Sequence, residues 1–143
     1  MSAHETVTVA LGDRSYDIIV GQDVIARAGE LMAPVLRQPR VIVVTDANVA
    51  PLHLEMLETA LTAASISHES IVLPAGEQTK KIAPLEGLID QILEKGIERS
   101  TTLVAFGGGV IGDITGFAAA VTLRGLDFVQ IPTSLLAQVD SSV

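Results

Sequence analysis

Apolar residues fall at every second position over Val7, Val9 and Leu11, and again over Tyr16, Ile18 and Val20, on either side of Gly12-Asp13-Arg14-Ser15. A period of two interrupted by turn formers predicts a β-hairpin with one buried face. Gly21-Gln22-Asp23 supplies a turn and an N-cap, after which Val24, Ala28, Leu31, Met32 and Val35 follow helical spacing towards Pro39. From residue 40 the pattern changes. Short continuous apolar runs, Val41–Val44, Ser70–Leu73, Thr102–Phe106 and Phe128–Ile131, read as strands. Between them lie stretches of helical period: Leu54, Leu57, Leu61 and Ala64 behind Pro51, then Leu85, Leu88, Ile89, Ile92 and Leu93 behind Pro84, then the Ala-rich segment 110–123. Gly96 falls where a helix C′ stop belongs.

Strands that alternate with helices of this length require crossover connections, hence parallel pairing with helices on both faces. The expected fold class is α/β: a Rossmann-like, doubly wound, mainly parallel sheet preceded by an N-terminal β-hairpin. Residues 1–143 are expected to form a single α/β domain, with the hairpin and first helix over 1–38 and the alternating β/α part over 40–143. The chain stops at Ser141-Ser142-Val143 without a polar or charged tail, which leads us to expect a continuation.

Composition narrows the function classes. Hydrophobic residues make up 48% of the 143 residues and aromatics 3%, the profile of a Val, Ile, Leu and Ala core of the kind buried in parallel sheets. A net charge of −8 argues against non-specific nucleic-acid binding, which needs clustered Lys and Arg. Without cysteine there is no disulfide framework, thiolate metal site or thiol nucleophile. Residues 1–8 contain no signal-peptide apolar region, so a soluble, cytoplasmic protein is expected. Leu103–Leu123 has the length of a membrane span with one charge, but Gly107, Gly108, Gly109, Gly112 and Gly116 break it, and Asp113 at mid-bilayer would cost about 3 kcal/mol. No membrane partner is expected.

Candidate chemistry gathers at the strand ends. In an open α/β sheet, ligands bind beyond the carboxyl ends of the strands. Here those segments are Asp46-Ala47-Asn48, Gly76-Glu77-Gln78-Thr79-Lys80, Gly107 to Asp113, and Thr133-Ser134. Residues 107–112 satisfy G-x-G-x-x-G between a strand and a helix, the arrangement in which backbone N–H groups approach a phosphate at a helix N-terminus. The same glycines also suit plain close packing of helix on strand, and both readings stand at this point. Asp113 is the sole charge between Arg99 and Arg124, and such a carboxylate on an apolar helix is costly unless paired. A strand-end acid for a ribose hydroxyl is best supplied by Asp46. Glu77 and Lys80 suit a ribose and a phosphate, or a solvated helix entrance; Arg124 suits an anionic substrate, or the end of a helix dipole. His4, His53 and His68 have no metal-ligand spacing.

The run Gly107–Asp113, then Gly116-Phe117-Ala118-Ala119, Arg124-Gly125 and Pro132–Val143, together with Pro74–Lys80 and Thr45-Asp46-Ala47-Asn48, closely resembles the 3-dehydroquinate synthase family over essentially the whole chain. Ser134 stands where many members have a second threonine. The resemblance implies a two-domain enzyme of the shikimate pathway. Its α/β domain binds NAD, and its helical domain carries a divalent metal, zinc or cobalt. The implied reaction converts 3-deoxy-arabino-heptulosonate 7-phosphate to 3-dehydroquinate and phosphate, through transient oxidation, phosphate elimination and ring closure. By the matched motifs, Asp46 and Asn48 would contact the adenosine half of NAD. Gly76, Glu77, Gln78, Thr79 and Lys80 would hold ribose and adjoining groups. Gly108, Gly109, Val110, Ile111, Gly112 and Asp113 would cradle the pyrophosphate, and Thr133 and Ser134 would lie on the nicotinamide side. Arg124 and Asp140 would face substrate. Family members continue with a Gly-Gly-Lys segment and the metal ligands, which this chain lacks. It is therefore expected to be the NAD-binding domain alone, inactive by itself, from an enzyme that is a homodimer at full length. Two other functions are carried forward: another sugar-phosphate cyclase or a glycerol-dehydrogenase-like enzyme, and a non-catalytic nucleotide-binding or assembly module.

Overall fold

A computed structural model describes residues 4–21, 24–76 and 82–133. In chain order these form β1 (His4–Val9), β2 (Tyr16–Gly21), α1 (Ala28–Met32), β3 (Arg40–Asp46), α2 (Glu55–Ala63), β4 (Ser67–Leu73), α3 (Ile82–Glu94), β5 (Thr102–Gly107), α4 (Gly109–Val121) and β6 (Phe128–Pro132). Strands β3 to β6 build one parallel sheet in the order β4-β3-β5-β6, while β1 and β2 pair antiparallel as a separate hairpin. The doubly wound reading therefore holds.

Why the sheet is buried on both sides follows from its composition. Val41 to Val44 and Leu103, Val104 and Phe106 are each fully buried, and side chains alternate between faces along a strand. Ile42, Val44, Leu103 and Ala105 pack with Leu88 and Ile92 of α3 and Ile111, Ile114 and Ala118 of α4. Val41, Val43, Val104 and Phe106 pack on the other face with Ala28 and Met32 of α1 and Leu57 and Leu61 of α2. One continuous sheet thus divides two apolar cores.

Several expectations need correction. The hairpin forms as read, with Val7 opposite Ile18 and Val9 opposite Tyr16, but its apolar face is not buried: Val7, Tyr16 and Val20 are 53%, 41% and 59% exposed. It makes at most slight contact with the other described elements, so alternation alone did not decide what covers it. The helix read over 24–35 is a short α-helical turn flanked by 3₁₀ turns at Ile25–Arg27 and Ala33–Val35, and Val35 lies exposed. Strand β4 begins at Ser67 rather than Ser70. It is an edge strand among the described residues, and its polar first half needs no core. Helix α3 begins at Ile82, which leaves Pro84 inside its first turn, where a missing N–H costs nothing. Leu93, assigned to its buried face, is exposed. Gly96 does end the helix, at φ +66. The proposed N-cap Asp23 lies outside the described residues.

Candidate functional site

Two neighbouring strands of this sheet, β3 and β5, send their chains in opposite directions. After β3 the chain crosses to β4 by way of α2; after β5 it crosses to β6 by way of α4, on the opposite face. The gap between their carboxyl ends is the point where ligands bind in open α/β sheets. Asp46 is level with Leu73, and Gly107 with Pro132. Continuing the pairing of Val44 with Ala105 by two residues brings Asp46 level with Gly107. The residues that follow, Pro74, Ala47, Gly108 and Thr133, therefore open a single row of loops along one edge.

Backbone bonds tie that row together. The Ala47 N–H donates to Leu73 O at 2.9 Å, and the Thr133 N–H donates to Gly107 O at 2.9 Å. Asp46, half-buried, accepts two N–H bonds on Oδ1, from Asn48 at 2.8 Å and from Val49 at 2.8 Å, so its carboxylate closes the loop that enters the helical segment Ala50–Ala63. Asn48 is exposed at the tip of that loop. Gly76, exposed with φ +112, adopts a backbone conformation that an L side chain rarely takes.

The glycine run has two distinct jobs. A Cβ on Gly107 would meet Ile111 at 2.9 Å, so this position must be glycine for α4 to start this close to β5. On Gly112 and Gly116 a Cβ would sit 3.3 Å from Gln130 Oε1 and 3.3 Å from Phe128, which lets α4 lie against β6. Packing is thus one role of the motif. Gly108 is extended, with φ −80 and ψ −167, and the Gly112 N–H closes the first helical bond onto Gly108 O at 3.0 Å. The backbone N–H groups of Gly109, Val110 and Ile111 precede that bond and have no intrahelical acceptor, which leaves the α4 N-terminus able to receive an anion. The Ile111 side chain itself is buried in the core, so only its backbone can take part.

Asp113 is exposed rather than set in apolar surroundings. Ile111, Ile114, Thr115 and Ala118 turn inward, whereas Asp113, Phe117 and Val121 turn outward. The exposed Phe117 and Val121 made the helix look uniformly apolar in sequence. Asp113 also engages another group in the molecule, and being exposed as well it escapes the desolvation cost that the sequence attached to an unpaired carboxylate on an apolar helix.

Arg124 is not part of the row. It sits in the turn before β6, at the opposite end of the sheet from the strand-end loops, exposed, with φ +66 beside Leu123 at φ +47 and Gly125 at φ +113. Bonds from the Gly125 N–H to Thr122 O at 2.8 Å and from the Leu126 N–H to Ala119 O at 2.7 Å hold that left-handed turn. Glu77, Gln78, Thr79, Lys80, Ser134 and Asp140 lie outside the described residues. One contributor was missed in the sequence, Gln130, a polar residue in the otherwise apolar strand Phe128–Pro132. No group of three or more His, Cys, Asp or Glu among the described residues can hold a metal ion, and no described helix is long and apolar enough to cross a membrane.

A family model described as 3-dehydroquinate synthase N-terminal matches residues 70–143. A 3-dehydroquinate synthase of Rhodospirillum rubrum is 63% identical over 137 residues, which is 96% of this chain but 36% of the relative. The chain thus spans little more than a third of that relative's length. Among solved structures, 2-deoxy-scyllo-inosose synthase, crystallised with carbaglucose-6-phosphate, NAD+ and Co2+, superposes with a TM-score of 0.85 over 96% of this chain and 38% of that one, at 23% identity. That likeness concerns the fold. The 2-epi-5-epi-valiolone synthase of Streptomyces hygroscopicus subsp. jinggangensis 5008, with NAD+ and Zn2+ bound, gives 0.80 at 31% identity over 94% of this chain and 37% of that one.

Proposed function

Because the chain belongs to the 3-dehydroquinate synthase family, we propose that it is the NAD-binding portion of an enzyme that converts 3-deoxy-arabino-heptulosonate 7-phosphate to 3-dehydroquinate and phosphate. The observation that carries this reading is the row of loops opened by Pro74, Ala47, Gly108 and Thr133 at the reversal of the sheet, with the N-terminus of α4 in its midst. Its chemistry fits a dinucleotide: backbone N–H groups for the pyrophosphate, a strand-end carboxylate at Asp46, and glycine where the backbone must come close. In this proposal Asp46 and Asn48 flank the adenosine, Gly76 to Lys80 hold ribose and adjoining groups, Gly108 to Asp113 receive the pyrophosphate, and Thr133 and Ser134 lie towards the nicotinamide. Bound NAD supplies reversible hydride acceptance. The chain's own part is to hold the cofactor and fix its orientation.

Arg124 and Asp140 are assigned to the substrate side. Arg124, at the far end of the sheet, does not join the cofactor loops of its own chain. The divalent metal, of the kind present as Co2+ and Zn2+ in the two solved cyclases, is assigned to the remainder of the longer enzyme. We place that enzyme in the cytoplasm, as a homodimer acting on a small sugar phosphate, with residues 1–143 as one α/β unit that does not turn over substrate alone. The dehydroquinate branch is preferred over other cyclases because a relative as close as 63% identity bears that name, against 31% for the valiolone synthase.

Calorimetric titration of this chain with NAD tests the proposal, beside Asp113→Ala and Lys80→Ala. Saturable binding is expected, weakened about tenfold or more by either change, equivalent to ~1.4 kcal/mol each. A folded chain that binds no NAD, or that binds it equally well in both variants, would reject the assignment.

A further inference from the structure

On the side of the sheet that faces α2, a cluster of His68, Ser70 and Glu58 remains that the strand-end loops do not use. His68 and Ser70 stand on one face of β4, level with Val41 and Val43 of β3, which pack beneath α2. Glu58 reaches them from α2: its Oε2 accepts the Ser70 hydroxyl at 3.1 Å and lies 3.9 Å from His68 Nε2. The other ring nitrogen, Nδ1, is 3.2 Å from Ile66 O. A carbonyl oxygen can only accept, so Nδ1 carries the hydrogen of that bond, and in the neutral ring Nε2 presents a lone pair. It presents it to a carboxylate oxygen, and no lysine or arginine pairs with Glu58 among the described residues. Two lone-pair atoms held face to face call for a cation between them. We propose that His68 and Glu58 form a binding site for a divalent transition cation of the zinc class. Imidazole beside a single carboxylate suits zinc, whereas magnesium and calcium take sets of oxygen ligands. Ligand atoms of a tetrahedral zinc lie about 3.4 Å apart, so the two side chains need close by only about 0.5 Å. Both are already oriented as metal ligands are, the ring N–H on a backbone carbonyl and the carboxylate by a hydroxyl. Side chains 18% and 38% exposed give the ion a path in and leave its remaining coordination positions to water. Bound there, it braces the edge strand β4 onto α2.

Zinc chloride titrated into the chain at about pH 7.5, where protons compete weakly with the metal, tests the site by calorimetry and by the imidazole resonances. One zinc ion per chain should bind, with the His68 ring signals moving in step with the heat, and magnesium chloride should produce neither effect. His68→Gln and Glu58→Gln should each weaken zinc binding by about tenfold or more, and Ser70→Ala, which frees the carboxylate from its orienting hydroxyl, by about tenfold. His53→Gln should leave the titration unchanged. Circular dichroism without metal shows whether each variant has kept the fold; should Glu58→Gln lose it, His68→Gln and Ser70→Ala still decide. A parent chain that binds no zinc would overturn the proposal, since the couple then takes only a proton. Binding that His68→Gln leaves intact would overturn it too, as would zinc that moves the signals of His4 or His53 in place of those of His68.

Discussion

Gly107 and Gly112 occupy the same motif, five residues apart, yet the space around them differs. At Gly107 an added methyl would press on Ile111, whose β-carbon is 3.0 Å away and whose side chain is 1% exposed. The branch of Ile111 is fixed to its backbone and cannot swing clear, so Gly107→Ala is expected to destabilise the chain by about 1–3 kcal/mol through overpacking. At Gly112 the obstacle is the end of the Gln130 side chain at 3.3 Å, which can turn aside. Alanine is the better helix former by up to ~1 kcal/mol, so Gly112→Ala should be neutral or slightly stabilising. Urea unfolding of both variants checks the contrast, and the reverse order would contradict these packing roles. In sequence the two glycines are interchangeable members of one pattern. Their difference lies in which side chain of a neighbouring element stands over each.

Among the elements, α3 is held to the sheet by more than its apolar stripe. Arg40, the first residue of β3, donates through Nη1 to Gly96 O at 2.9 Å and through Nη2 to Lys95 O at 2.6 Å. These are carbonyls just past the C-terminus of α3, where partial negative charge collects and no helical donor remains. Arg40→Ala should cost about 1–2 kcal/mol and speed amide exchange in the last turn of α3. Arg40→Lys, which keeps the charge but not the planar fork, should restore only part of the loss. Thermal unfolding with exchange measured on Ile92 to Glu94 would register both effects. The stripe Leu85, Leu88, Ile89 and Ile92 and the stop at Gly96 were legible in sequence, because period and left-handed backbone are local properties. Arg40 was not, since its partners lie 55 and 56 residues away.

At the scale of the whole molecule, the four-stranded sheet belongs to both cores at once. Leu57, beneath α2, and Leu88, beneath α3, lie on opposite faces and are each fully buried. Leu57→Ala and Leu88→Ala are each expected to lower stability by about 2–5 kcal/mol. Circular dichroism during denaturation should follow a single transition in both variants, because neither layer can come away without exposing the strands that support the other. Two separate transitions would mean that the layers are independent. The sequence by itself determined the alternation of strands and helices, the parallel α/β class and the gathering of polar and glycine-rich segments at strand ends, since periodicity and turn chemistry act over a few residues. Only the tertiary structure decided the strand order β4-β3-β5-β6 and hence where the sheet reverses. The exposed hairpin face, the outward turn of Asp113 and the separation of Arg124 from the strand-end loops were decided in the same way. Each depends on which distant segment covers a given face, and burial is a property of the assembled layers rather than of any stretch of chain.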